Sequence, residues 1–120
     1  MRSTMLVMTR REGGSVYGGT SLTENIEETY DHVIRVERIV DEPEIRSAEI
    51  SVRTPSGEYS SFELTPAKDD FRINDNLRIV LVGMYADSFK GGPLESVLRL
   101  GFDAPMSYRL VRDDAIRRTE

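Results

Sequence analysis

The sequence predicts a mainly β protein with one short closing helix. Two observations carry this reading. Short apolar runs rich in β-branched residues recur along the chain, and turn signals separate them at Gly13-Gly14, Pro55-Ser56-Gly57, Asn74-Asp75-Asn76, Gly91-Gly92-Pro93 and Asp103-Ala104-Pro105. A length of 120 residues suits one ordinary domain, or a small domain carrying a large insertion. Such a chain can bury roughly two-thirds of its extended surface, so a true core needs no staples.

Taken in order, Met5-Leu6-Val7-Met8-Thr9-Arg10-Arg11 reads as a strand that is buried or covered by a dimer partner, stopped by Gly13-Gly14. Ser21-x-x-Glu24 has the form of a capping box, and Leu22, Ile26, Tyr30 and Val33 follow at helical spacing. From His32 to Val40 the β-branched density rises, which favours a short helix followed by a strand, ended by Pro43. Glu49–Arg53 and Tyr59–Leu64 flank Thr54-Pro55-Ser56-Gly57-Glu58 and read as a hairpin. After a polar connector at Pro66–Asp70 come Phe71-Arg72-Ile73, the Asn74–Asn76 turn and the apolar Leu77–Met84. Asp87–Pro93 reads as a loop, Val97–Gly101 as a strand, Asp103-Ala104-Pro105 as a turn and Met106–Val111 as the last strand. Asp113-Asp114 suits the positive end of a helix dipole, which places a short helix over Ala115–Arg118.

Composition excludes several classes. Without cysteine there are no disulfides, cysteine zinc sites or thiol nucleophiles, and the single histidine, His32, makes His-rich metal sites and a catalytic triad unsuitable readings. The longest apolar stretch, Ile79–Met84, falls far short of the ~20 residues of a membrane span, and the N-terminus lacks a signal-peptide block. These features predict a soluble, cytoplasmic domain with no cofactor, metal or catalytic residues. Gly13-Gly14 and Gly18-Gly19 are turn glycines with no Gly-Lys-Ser/Thr after them, and Asp69, Asp70 and Asp75 match no metal loop.

The formal charge of −5 is unevenly distributed. Residues 15–70 hold five basic and thirteen acidic residues, whereas the remainder holds eleven basic and eight acidic. A basic frame around an acidic insert keeps a nucleic-acid partner open, which a uniform −5 would argue against.

The two ends and the middle together resemble the carbon storage regulator family. The carriers are MLVMTRREGGSVY at Met5–Tyr17, FRINDNLRIVLVGM at Phe71–Met84 and VLRLGFDAPMSYRLVRDDAIRR at Val97–Arg118, three colinear blocks within a similarity that spans Met5–Tyr17 and Phe71–Arg118, slightly over half the chain. The resemblance implies a discontinuous RNA-binding domain, 1–19 and 70–120, interrupted by an acidic β-rich insertion, 20–69. Both Ser15-Val16-Tyr17 and Phe71-Arg72-Ile73 suit its second strand. It further implies a small intertwined β-sheet homodimer that acts as a post-transcriptional regulator. Such proteins bind GGA hairpin loops in mRNA 5′ leaders and small RNAs and control translation or message stability.

By position, the family's RNA surface falls on Leu6, Met8, Thr9, Arg10 and Arg11 of the first strand and on Tyr108, Leu110, Val111 and Arg112 of the last, contributed by different protomers. Edge-strand amides and carbonyls can bond unstacked loop bases, Met8 and Leu110 can support base faces, and Arg10, Arg11 and Arg112 can neutralise phosphates. Val111 stands where the family usually has histidine, Met106 where lysine is common, and Gly14 where the turn is usually acidic. These departures, with the acidic insertion, support an alternative: a divergent relative that binds protein rather than RNA. The insertion itself reads as a solvated decoration, a gate whose carboxylates compete with phosphate, or a protein dock.

Overall fold

Apolar–polar alternation, and two places where it slips by one residue, decide which side chains enter the core. The computed structural model describes residues 3–88 and 91–115. In β3 (His32–Asp41), Ile34 and Val36 point inward; an irregularity between Val36 and Arg38 then shifts the phase, so Ile39 rather than Arg38 faces the core. In β7 (Leu77–Ser88), Leu77, Ile79 and Leu81 point inward, and a slip between Leu81 and Gly83 brings Met84 inward in place of glycine. Each bulge keeps a large apolar side chain on the buried face.

Among the described residues nine strands form two antiparallel sheets. The first has the order β1-β8-β7-β6, with β1 at Ser3–Arg11, β6 at Asp70–Asn74 and β8 at Leu94–Pro105. The second has the order β5-β4-β3-β2-β9, with β2 at Ser15–Gly19, β4 at Arg46–Arg53, β5 at Tyr59–Leu64 and β9 at Arg109–Arg112. Ile79, Leu98, Leu100 and Phe102 from one sheet and Val16, Ile34, Ile50 and Leu64 from the other are almost wholly buried in one common core. Residues 20–69 therefore supply most of one wall of that core.

The sheets are aligned at both sides. Phe62 of β5 stacks on Phe71 of β6, with centroids 4.0 Å apart and planes 7° from parallel. At the other side, β1 and β9 are the outer strands of their sheets, and an ion pair from Arg10 to Asp113 joins them.

Several expected elements stand as read. The helix is a single turn, α1 (Ile26–Thr29), followed by the long strand β3, and the β4–β5 hairpin turns through Gly57 at φ 91. Both candidate second strands are strands, but in different sheets: β2 pairs with β3 and β9, β6 with β7.

Others are corrected. Ser21 caps nothing: Asn25 holds the N-cap position without a side-chain bond, and extended Tyr30 ends the turn. The chain must reverse there, because the Asp31 amide bonds Gly18 O at 2.8 Å and pairing with β2 starts at His32. β7 and β8 extend as a ribbon beyond the expected loop boundaries, to Ser88 and from Leu94. Asp103-Ala104-Pro105 is strand rather than turn, because β1 pairs along it to Ser3↔Pro105; the turn follows, closed by the Tyr108 amide on Pro105 O at 2.9 Å. The last strand consequently begins at Arg109. Asp113–Ala115 form a 3-10 turn, and the rest of the expected helix lies outside the described residues. β1 is not buried by its own chain: Met5, Leu6 and Val7 are 48%, 44% and 38% exposed. Among the described residues no helix is long and apolar enough to cross a membrane.

Candidate functional site

The nine residues singled out from the sequence separate into four groups at the β1/β9 side of the sandwich. Pairing fixes their directions, because residues directly opposite share a face. Leu6↔Phe102, Met8↔Leu100 and Arg10↔Leu98 place Leu6, Met8 and Arg10 on the inner face of their sheet. Gly18↔Leu110 and Val16↔Arg112 do the same for Leu110 and Arg112 in the other sheet. Met8 and Leu110 pack against the core from this side, and both strands have no neighbour on their outer edge among the described residues. Met8 and Leu110 therefore cap the core beside the two strand edges, while Leu6 stays 44% exposed.

Thr9 and Val111 face outward instead. Thr9 Oγ1 lies 3.4 Å from the Tyr85 hydroxyl, and Val111 sits opposite Tyr17.

Arg10 is a structural cation. Its side chain is 8% exposed and its Nη2 donates to Asp113 Oδ1 at 2.8 Å, while Asp114 Oδ1 lies 3.6 Å from Nη1. Asp113 Oδ2 also accepts the Ser15 amide at 3.0 Å, so one carboxylate fastens β1 and β2 together. Gly14 is needed here: a Cβ would stand 2.7 Å from Arg10 Nε. A phosphate cannot reach this guanidinium without displacing Asp113. Arg11 and Arg112 are more accessible, at 52% and 45%, each beside a carboxylate: Glu95 at 3.2 Å and Asp114 at 2.8 Å. Burial raises the Asp114 carboxyl, but Arg112 and Arg10 outweigh it and hold the group below its usual range. Arg109 is exposed and unpaired among the described residues.

Tyr108 is 8% exposed and lies under the surface. Its hydroxyl shares a hydrogen bond with His32 Nδ1 at 2.9 Å, and its ring lies against Gly18, where a Cβ would meet it at 2.5 Å. Burial pushes the Tyr108 phenol well above its usual range and the His32 imidazole below its own, with Asp31 partly opposing the latter. Tyr108 thus anchors the turn into β9 and offers no hydroxyl to a ligand.

Two cavities accompany these groups. One, of about 830 Å³, lies at the end of β1 between Arg10, Arg11, Glu12, Glu95, Asp113 and Asp114. The second, of about 290 Å³, opens on the outer face of the five-stranded sheet between Tyr17, Glu27, Tyr30, Arg35 and Arg53. Sequence reading missed the carboxylate set around Arg10, since Asp113-Asp114 there signalled only a helix start. It also missed the tyrosine–arginine face, although strand alternation in Tyr17, Val33, Arg53 and Tyr59 carries that signal. Among the described residues no group of three or more His, Asp or Glu side chains is placed to hold a metal ion.

No family model, curated protein or solved structure matches the chain. The functional reading therefore rests on the geometry and on the three sequence blocks.

Proposed function

We propose that the chain is an RNA-binding post-transcriptional regulator of the carbon storage regulator type, gripping a GGA hairpin loop at the β1/β9 side and working as a homodimer. The supporting observation is that β1 and β9 each leave an outer edge unpaired among the described residues, with Met8 and Leu110 packed against the core on that side and Leu6 exposed beside them. Free edge amides and carbonyls bond splayed loop bases, these apolar side chains carry base faces, and Arg11, Arg109 and Arg112 hold the backbone. Arg10 acts as a positioning residue, keeping β1 beside the end of β9.

Dimer formation has its own support. The outer face of the four-stranded sheet exposes Met5, Val7 and Val82, an apolar patch that a second copy can cover. In this chain β1 pairs with β8, and β9 with β2, so a second copy is not needed to build either sheet and leaves both strand edges to the RNA.

A gel shift with a GGA hairpin against a loop-mutated control tests the reading. Binding that weakens steeply with salt and falls in Arg112→Ala supports it; no shift at low salt overturns it. The second outcome would favour a protein-docking relative, a reading supported by the carboxylates Glu95 and Asp114 that already pair Arg11 and Arg112.

A further inference from the structure

We propose that the outer face of the five-stranded sheet is a separate stacking platform for single-stranded RNA, crossing the strands from Val111 to Tyr59. This rests on the RNA reading above for its class of ligand, but on different residues.

The register assembles the platform. Val111↔Tyr17, Tyr17↔Val33, Val33↔Arg53 and Arg53↔Tyr59 form one row across all five strands, on the face opposite the core. Four inter-strand steps of ~4.8 Å make that row about 19 Å long, room for several nucleotides. A second row, Ser15↔Arg35↔Ser51↔Ser61, runs beside it and adds another guanidinium and the exposed Ser61 hydroxyl; Ser15 and Ser51 are buried, and Ser51 Oγ donates to Glu37 at 2.8 Å.

The side chains fit a nucleic acid better than a protein. Tyr59 is 57% exposed at the sheet edge, and Tyr30, edge-on to Tyr17 at 5.3 Å, stands over the row from α1. Arg53 makes no ion pair among the described residues, and Arg35 reaches only Glu37 at 3.4 Å. Tyrosine faces and guanidinium groups set close together on one sheet face stack bases and neutralise phosphates. Only Val33 and Val111 add aliphatic surface in the row, too little for the apolar centre of a protein interface. Charge also sets the track. Glu49 and Glu63 oppose each other four residues from Arg53 and Tyr59, about 13 Å away at ~3.3 Å per residue, so the backbone is confined to the tyrosine row.

The test uses fluorescence anisotropy of a short unstructured oligouridylate and, separately, of a tail-less GGA hairpin. The platform predicts that the oligouridylate binds at low salt and that Tyr59→Ala weakens it about ten-fold. Arg53→Ala should weaken it and lower the slope of log K against log salt by about one. Both residues are exposed, so unchanged melting temperatures establish that the variants fold. Hairpin binding without oligouridylate binding, or oligouridylate binding indifferent to both substitutions, overturns the platform and leaves the strand-edge reading intact. Oligouridylate binding sensitive to both substitutions supports the platform even where the GGA hairpin fails to bind.

Discussion

Arg10 Nη2 donates to Asp113 Oδ1 across 2.8 Å, joining residues 103 positions apart at the side where both sheets end. The same carboxylate takes the Ser15 amide, and Arg10 Nε and Nη1 are buried without hydrogen-bond partners. One side chain thus carries most of the compensation for a buried charge. Asp113→Ala should destabilise the fold by about 2–4 kcal/mol, below the most severe buried-pair losses because Asp113 is 35% exposed. Arg10→Met combined with Asp113→Ala should recover part of that loss, since no charge is then stranded. Urea denaturation of the two variants measures the difference.

Arg112 and Arg10 should separate stability from binding. Arg112 pairs with Asp114 in the open, 45% and 56% exposed, a contact worth about 0–1 kcal/mol. Arg112→Ala should leave the melting temperature nearly unchanged while weakening a GGA hairpin roughly ten-fold and lowering the salt slope by about one. Arg10→Ala should lower the melting temperature first. Equal affinity losses with equal stability in both variants would contradict this division of roles.

How much of this was legible beforehand follows from what local sequence can encode. The β4–β5 hairpin, the one-turn helix and the strand after it were readable, because Pro55, Gly57 and the β-branched run at Val33–Val40 act locally. The strand ends were not. Pro105 looked like a turn, and only pairing with β1 keeps Asp103-Ala104-Pro105 extended. Tyr108 was expected on the RNA surface because its position in the strand pattern says nothing of His32 and Gly18, 76 and 90 residues earlier in the chain, which enclose it. Arg10 was expected to meet phosphate for the same reason: its partner comes from the far end of the sequence.

The glycines that receive side chains should differ sharply. Gly18→Ala puts a Cβ 2.5 Å from the ring of Tyr108, which is buried and hydrogen-bonded and has little room to retreat. Gly101→Ala puts one 2.6 Å from Met5 Sδ, an exposed flexible tip. Thermal melts should show Gly18→Ala destabilised by about 1–3 kcal/mol and Gly101→Ala within about 0.5 kcal/mol of the parent. Similar losses in both would mean that Met5 is held as firmly as Tyr108.

His32 supplies a pH dependence of known sign. Its folded-state pKa lies below the ordinary 6.5, chiefly through burial, so the unfolded chain binds the proton more readily. The associated stability is fully present above pH ~6.5 and declines as pH falls toward the folded value. Urea midpoints should therefore drop between about pH 7.5 and 5, and His32→Gln should flatten that part of the profile. A midpoint that rises on acidification over this range would require the opposite shift.

Removing the acidic segment 20–69 should abolish folding rather than relieve a gate. Residues 20–69 include Ile34, Val36, Ala48, Ile50, Val52 and Leu64, all facing the other sheet, and Phe62, stacked on Phe71 beyond that segment. Without them Leu77, Ile79, Leu100 and Phe102 would lose the opposing wall that leaves each at 0% exposure. A chain with residues 20–69 replaced by a short linker should show no cooperative transition in urea, and Phe71→Ala alone should cost about 2–4 kcal/mol. Electrostatic gating is testable only with the wall in place, by converting the outward Glu49 and Glu63 to glutamine. That pair should strengthen oligouridylate binding several-fold at low salt and slightly raise the melting temperature, since each carboxylate is exposed and the two repel across the strands. A cooperatively folded deletion variant would show instead that the frame strands close a core of their own.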